Sequence, residues 1–296
     1  MTLLDANTHP MTLPSFSMAG KVCVVTGAAR GLGLEFCRAF IQSYGLHQDM
    51  LIFVELNVFQ RGCTSLAILD IKQSETDETA DELTAYCQEL HKVVPKSVKI
   101  IGLECDVTIE SSVKSAFIVI MEQFGKIDAV VANAGIVHNY TALDYPADKM
   151  SRLFDVNVHG AFYTAREAAR NMIPLGGGSI ILIASMSANI VNIPQFQTPY
   201  NASKAAVKHM AASLAVEWAK SGVRVNALSP GYMLTKLTKT VLENDSALKK
   251  TWESLTPMGR MGEAEDLSGA IVFLASDASK FMTGSEIRVD GGYCAV

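Results

Sequence analysis

No basic block interrupts this chain. Thirty acidic residues outnumber 25 basic ones, a net charge of −5, and the two signs are mixed along the sequence. A nucleic-acid or phospholipid surface calls for clustered Lys and Arg, so neither partner is expected. No stretch reaches the run of about 18 apolar residues that a membrane helix requires. The six histidines are dispersed without ligand spacing, and no metal site is expected. Cys23, Cys37, Cys63, Cys87, Cys105 and Cys294 are scattered, several in apparent strands or helices. That pattern suits reduced, buried thiols of a cytoplasmic protein better than disulfides. Met1 to Ser15 lacks a cationic flank and an apolar core, so it does not read as a signal peptide. A mobile arm over residues 1–17 is expected instead.

What the chain does have is a repeated strand–helix pattern with 49% hydrophobic residues. Apolar runs at Val22–Thr26, Thr64–Leu69, Val98–Leu103, Asp128–Ala132, Ser179–Ala184, Val223–Ala227 and Glu286–Val289 read as buried strands. Helical periodicity falls at 76–92, 109–124, about 147–172, 199–221 and 264–276. The alternation predicts an α/β fold, a doubly wound parallel sheet in three layers, α/β/α. No linker breaks it, so residues 18–296 read as one domain. Ligands of such sheets bind beyond the carboxyl ends of the strands.

Two motifs lie at those ends. After the first strand come Gly27-Ala28-Ala29-Arg30-Gly31-Leu32-Gly33 and a helical run. Strand, glycine turn and helix together form a dinucleotide-binding context. Gly27 allows the tight turn, Gly31 lets the backbone approach a pyrophosphate, and Gly33 lets the helix pack closely. The helix N-terminus offers amide donors and a favourable dipole. Further on, Tyr200 and Lys204 stand four residues apart, on one face of a helix. A cation beside a phenol favours the phenolate, so Lys204 is expected to lower the Tyr200 pKa. Ser187 follows the fifth strand and could hold a carbonyl or alcohol oxygen facing the phenol. That is equipment for moving a proton to or from a carbon-bound oxygen.

The Thr26–Gly33 loop, Asn133-Ala134-Gly135, Asn157, Ser187, Tyr200/Lys204, Pro230-Gly231 and the terminal Val289-Asp290-Gly291-Gly292 stand in a telling order. In that order they resemble the short-chain dehydrogenase/reductase family, from about Phe16 to the C-terminus. The resemblance implies an NAD(P)-dependent oxidoreductase acting on CH–OH groups. It implies Tyr200 as acid/base, Lys204 as its electrostatic partner and ribose ligand, Ser187 as holder of the reacting oxygen, and Asn157 as anchor of a water. Ser185 rivals Ser187, but an offset of thirteen residues to the tyrosine favours Ser187. Cofactor contacts are implied for Gly27, Arg30, Gly31, Leu32, Gly33, Asp70, Asp106, Val107, Asn133, Ala134, Gly135, Tyr200, Lys204, Pro230, Gly231, Met233 and Thr235. Asp70 closes the second strand, where a carboxylate accepts from the ribose hydroxyls and repels a 2′-phosphate. NAD(H) is therefore expected, with Arg30 leaving NADP(H) possible. A homotetramer packed through the helices near 147–172 and 199–221 is also implied.

The segment from Ala184 to Gln195 and that from Ser229 to Thr238 resemble the fungal polyol dehydrogenases of the family. A sugar alcohol and its ketose, D-arabinitol and D-ribulose in type, are the expected substrates. Asn189, Asn192, Gln195 and Gln197 could pair with their hydroxyls or serve the loop backbone. Residues about 232–260 are expected to cover the substrate, with Trp252, Leu255 and Met258 closing. Other readings are reduction of a 3-oxoacyl thioester or secondary-metabolite ketone, and a catalytically silent scaffold. One departure stands out. Gly33 to Asp70 spans 37 residues, against roughly 20 in the fingerprint. The excess is an apolar insertion near 44–62. It reads as an extra packed element, as the true second strand ending at Glu55, or as translated non-coding sequence.

Overall fold

Strand β1 (Val22–Thr26) is five consecutive buried residues. Such a strand needs no polar alternation, because helices cover both its faces. In the computed structural model, which describes residues 13–43, 62–91, 98–235, 238, 242 and 246–296, it lies at the centre of a sheet. Six strands accompany it: β2 (Ser65–Asp70), β3 (Lys99–Glu104), β4 (Ala129–Ala132), β5 (Gly178–Ile183), β6 (Val223–Pro230) and a C-terminal strand, Glu286–Val289. Between β6 and that last strand, β7 (Met233–Leu234) and β8 (Gly262–Glu263) form a separate parallel pair, which makes the last one β9. The order is β3-β2-β1-β4-β5-β6-β9, with every pairing parallel. The order reverses between β1 and β4, which opens the crevice where doubly wound sheets bind ligands.

Two helical layers close the core. Cys23 and Val25 face α1 (Gly31–Gln42), α2 (Gln73–His91) and α8 (Ser268–Ala275). Val24 faces α3 (Glu110–Phe124), α5 (Gly160–Met172) and α6 (Thr198–Trp218). Each fully buried aliphatic or aromatic side chain here contributes about 1.5–3 kcal/mol, so the sheet is a rigid platform for whatever stands at its edge. Two further helices, α4 (Ala147–Phe154) and α7 (Ser246–Leu255), flank the carboxyl end. Among the described residues no helix is long and apolar enough to cross a membrane.

Three details differ from the sequence-based expectation. First, the helix expected over 147–172 is interrupted by a π turn, Asp155–His159, which joins α4 to α5. Such bulges favour functional sites. Second, β6 runs on to Pro230 rather than ending at Ala227, and Gly231 N–H still bonds the Val289 carbonyl at 2.9 Å. Third, the end of the expected arm is packed: Pro14–Phe16 forms a 3-10 turn, and Phe16 meets Phe273 at 6.0 Å between ring centres.

Residues 1–12 and 44–61 lie outside the described residues. The flanks of the insertion nevertheless meet. Cys63 N–H bonds the Phe40 carbonyl at 2.9 Å, and a Cβ on Gly62 would stand 2.0 Å from the Ile41 carbonyl oxygen. The strand beside β1 is Ser65–Asp70, in register from Val22↔Ser65 to Thr26↔Leu69. The strand paired with β1 is thus the one that Asp70 closes, and the alternative ending at Glu55 lies outside the described residues.

Candidate active site

The glycine loop is held by backbone. Gly27 N–H donates to the Leu69 carbonyl at 2.7 Å, which ties the turn to β2. Gly27 has φ +64°, and a Cβ there would lie 2.8 Å from the Ala134 Cα. A Cβ on Gly33 would lie 2.3 Å from the Gly27 carbonyl oxygen, so the helix packs hard on the turn. Gly31 differs: its φ is +61°, yet nothing lies within 4 Å of its missing side chain. That open space, beside the first turn of α1, is what close approach of a phosphate needs. Asn133 locks β4 to β1: its Nδ2 donates to the carbonyls of Thr26 and Gly27, both at 3.0 Å.

A cavity of about 650 Å³ runs over this loop. Asp70 lines it with Gly27, Arg30, Gly31 and Leu32. Asp70 accepts from Ala29 N–H at 3.1 Å and from Ile71 N–H at 2.8 Å. Its carboxylate is thus fixed by two backbone amides beside the glycine loop. Arg30 is exposed and pairs with Glu75 at 3.3 Å, and Glu75 also holds Lys72 at 2.6 Å. Lys72 and Arg30 hold the Glu75 carboxyl below its usual range. Farther along stand Asp106 and Val107. Burial pulls the Asp106 carboxyl up, but Thr108 and Arg152 outweigh it and hold it low. Asp106 caps no helix; it accepts from the Thr108 amide at 2.9 Å and hydroxyl at 2.7 Å.

The same cavity reaches Asn133, Ala134, Gly135, Ser185, Tyr200, Lys204, Pro230, Gly231, Met233 and Thr235. Tyr200 sits in the first turn of α6, where Pro199 is harmless because the N–H it lacks has no helical partner. Lys204 follows one turn on, buried, donating to the Ile183 carbonyl at 2.8 Å. Its Nζ lies 5.7 Å from the centre of the Tyr200 ring. Burial lowers Lys204 to about 8. Burial also pushes the Tyr200 phenol above its ordinary value, with a Ser185 hydrogen bond pulling it back. The shift is opposite to the expected depression and burial is its cause, while the Lys204 ammonium is directed to the Ile183 carbonyl.

The structure turns Ser185, rather than Ser187, toward the phenol. Ser185 lines the cavity with Tyr200, whereas Ser187 does not, and Ser185 pulls the raised phenol pKa back down. It also caps the 3-10 turn Met186–Ala188 by accepting from Ser187 N–H at 3.1 Å. That turn carries Ser187 behind it, where its Oγ meets Ser185 Oγ at 3.1 Å and Gln197 Nε2 at 3.5 Å. The offset of thirteen residues misled because a tight turn points residues two apart in different directions. Asn157 lies in the π turn, buried; its Oδ1 accepts from Ile136 N–H at 2.8 Å and its Nδ2 donates to the Ile136 carbonyl and to Ser203 Oγ, both at 3.0 Å. It clamps the loop after β4.

None of the four loop amides lines the cavity. Asn189 is engaged by Glu286 at 2.7 Å and Lys208 at 2.6 Å. Asn192 and Gln195 donate to the Tyr232 phenol oxygen, and Gln197 donates to Asn192 Oδ1. Of the residues expected to close over the substrate, Trp252 is buried and stacked on Tyr232, while Met258 is exposed. Residues that the sequence did not single out do face the cavity: His138, Arg152 and Thr238. His138 stands between two anchors, Ile136 on Asn157 and Tyr140, whose N–H meets the Phe196 carbonyl at 3.1 Å. No spacing in the sequence signals that bracket, since both anchors are tertiary.

Comparison with known proteins agrees with this geometry. A family model described as "Enoyl-(Acyl carrier protein) reductase" matches residues 60–294. A D-arabinitol 2-dehydrogenase [ribulose-forming] of Candida tropicalis is 38% identical over 286 residues, 95% of each chain. A probable NADP-dependent mannitol dehydrogenase of Yarrowia lipolytica is 38% identical over 283 residues, 95% of this chain and 89% of its own. A short-chain type dehydrogenase/reductase from Mycobacterium marinum superposes with TM-score 0.77 at 36% identity, covering 94% of this chain and 97% of its own. The chain belongs to the short-chain dehydrogenase/reductase family. It is an NAD(P)-dependent oxidoreductase of CH–OH groups.

Proposed function

We propose that the protein interconverts a sugar alcohol and its ketose, D-arabinitol and D-ribulose in type, with NAD(H) preferred over NADP(H). The observation that carries this reading is the meeting of Ser185, Tyr200 and Lys204 in the cavity that Asp70 also lines. The polyol names of the two relatives support the substrate class. A bound nicotinamide would supply or accept the hydride. Its phosphates would lie on Gly27, Gly31, Leu32 and Gly33, and its adenosine against Asp70, Asp106 and Val107. Asn133, Ala134 and Gly135 would floor the middle, and Pro230, Gly231, Met233 and Thr235 would hold the carboxamide end. Arg30 would have to leave Glu75 to meet a 2′-phosphate, which favours NAD(H).

Tyr200 moves the proton. Its raised pKa keeps the phenol protonated at neutral pH, ready to donate to a ketone oxygen. Ser185 orients that oxygen and stabilises its developing charge, a place Ser187 is too far back to fill directly. In oxidation the proton leaves past Lys204, whose pKa of about 8 suits exchange near neutrality. Asn157 anchors that exit. A Cβ on Gly135 would stand 3.4 Å from both Asn157 Oδ1 and Lys204 Nζ, so the two polar atoms border one gap that the glycine leaves free. Six free thiols support a reducing, cytoplasmic setting. Exposed Met150 on α4 and Val216 on α6 support a homotetramer, which a light-scattering mass of four chains would bear out.

The test is NADH oxidation with D-ribulose, D-fructose and L-xylulose, each repeated with NADPH. Ketose turnover with NADH preferred supports both parts. NADPH preference removes Asp70 as the selector. No turnover, with NADH bound, points to a 3-oxoacyl or other ketone; no NADH binding points to a silent scaffold.

A further inference from the structure

A continuous side-chain network runs from α7 to the catalytic serine. Tyr232 stacks on Trp252, ring centres 4.2 Å apart and 10° from parallel, and meets the edge of Tyr293 at 5.4 Å. Trp252 Nε1 donates to Gln195 Oε1 at 3.2 Å. An indole N–H can only donate, so Gln195 must present its oxygen to Trp252 and its nitrogen to the other side. That nitrogen donates to Tyr232 Oη at 2.8 Å, and Asn192 Nδ2 donates to the same oxygen at 3.1 Å. The Tyr232 phenol oxygen thus accepts two hydrogen bonds, which fill its acceptor positions.

Beyond Asn192 the network continues. Asn192 Oδ1 accepts from Gln197 Nε2 at 2.9 Å. The same nitrogen also faces Asn201 Oδ1 at 3.0 Å and Ser187 Oγ at 3.5 Å. An amide nitrogen has two hydrogens for these three acceptors. How firmly Tyr232 holds Asn192 thus decides how much of Gln197 reaches Ser187. Ser185 Oγ donates to Ser187 Oγ at 3.1 Å, and Ser185 shares the cavity with Tyr200. Asn192 and Gln197 are buried, so water cannot replace a lost partner cheaply.

We infer that Tyr232 is a positioning residue for the reaction: through Asn192, Gln197 and Ser187 it sets the hydroxyl direction of Ser185, and through Gln195 and Trp252 it ties that direction to the seating of α7. The inference rests on the reading of Ser185 as holder of the reacting oxygen. The experiment is a double-mutant cycle of Tyr232→Phe and Ser185→Ala, with kcat and KM for the ketose and the fluorescence titration of NADH. Tyr232→Phe keeps both ring contacts and deletes only Oη. The expected result is kcat down about tenfold, with KM and NADH affinity within twofold, and less than a twofold further loss when the substitution is made on Ser185→Ala. Trp252→Phe, which keeps an aromatic face without the N–H, should show a smaller kcat loss, about threefold, that also vanishes on Ser185→Ala. Losses that multiply in the double variant would overturn the inference while leaving the Ser185 reading intact. An unchanged kcat in Ser185→Ala itself would overturn both.

Discussion

The two ends of the cavity are built by different means. At the glycine loop the turn itself lies within a few positions of β1 and presents backbone, braced by the Leu69 carbonyl and the Asn133 and Asp70 side chains. At the serine end the contacts are side chain to side chain, drawn from 185, 195, 197, 200, 232 and 252. The first end has little rotamer freedom to lose and depends on where a Cβ is missing. The second depends on a set of amide and hydroxyl orientations that hold only together. A pyrophosphate is the same in every dinucleotide, so a fixed backbone suffices for it. A substrate carbon must be placed to within a fraction of an ångström, and adjustable side chains do that.

The comparison breaks most sharply at Tyr200. Tyr200→Phe should lower kcat/KM by about 10²–10⁴ with NADH affinity unchanged, since the phenol serves the chemistry and not the phosphate cradle. Steady-state rates beside a fluorescence titration check this. The serine pair sharpens it next. Ser185→Ala should cost about 10²-fold in kcat, whereas Ser187→Ala, one bond farther from the phenol, should cost about tenfold or less. Equal losses would return Ser187 to the place its offset from Tyr200 favours.

At the other end, Asp70→Ser should move the NADH-to-NADPH ratio of kcat/KM by about 10–100-fold toward NADPH, the worth of a hydrogen bond to a charged group. An unmoved ratio would mean that Arg30 governs the choice. The smallest effect is on stability. Burial lowers Lys204 to about 8 from its ordinary 10.5. Between those values the unfolded chain binds the proton more tightly, so stability should rise as pH climbs from 8 toward 10. Below pH 8 the buried ammonium is a constant cost. Lys204→Met should be inactive yet more stable by about 2 kcal/mol at pH 7, with no such rise at alkaline pH. Thermal melts at pH 7, 8, 9 and 10 measure it.

Much of this was open to inspection in the sequence, and for a local reason. Gly27, Gly31 and Gly33 carry a conformational or steric requirement that neighbouring residues cannot relieve. Tyr200 and Lys204 are four apart on one helix, so their shared face follows from the helix itself. Seven strands were recognisable because a strand buried on both sides is an unbroken apolar run. Asp70 closed the second of them, and the sheet register delivers it beside the glycine loop whatever lies between 44 and 61. By contrast, Ser185 could be chosen over Ser187 only once the 3-10 turn was in place. Lys204 was expected to depress Tyr200, but the enclosure that reverses the shift comes from elements remote in sequence. Asn192, Gln195 and Gln197 looked like hydroxyl-binding amides; folding spends them on Tyr232, Trp252 and each other.

The sequence alone therefore determined the alternation of strand and helix, the phosphate turn and the phenol–ammonium pair, because each is written in the spacing of adjacent residues. Only the tertiary structure decided which serine lines the cavity beside the phenol, that His138 faces it, and in which direction burial moves the Tyr200 and Lys204 pKa values. Those depend on burial and on hydrogen-bond partners brought from tens of residues away, and no local spacing encodes them.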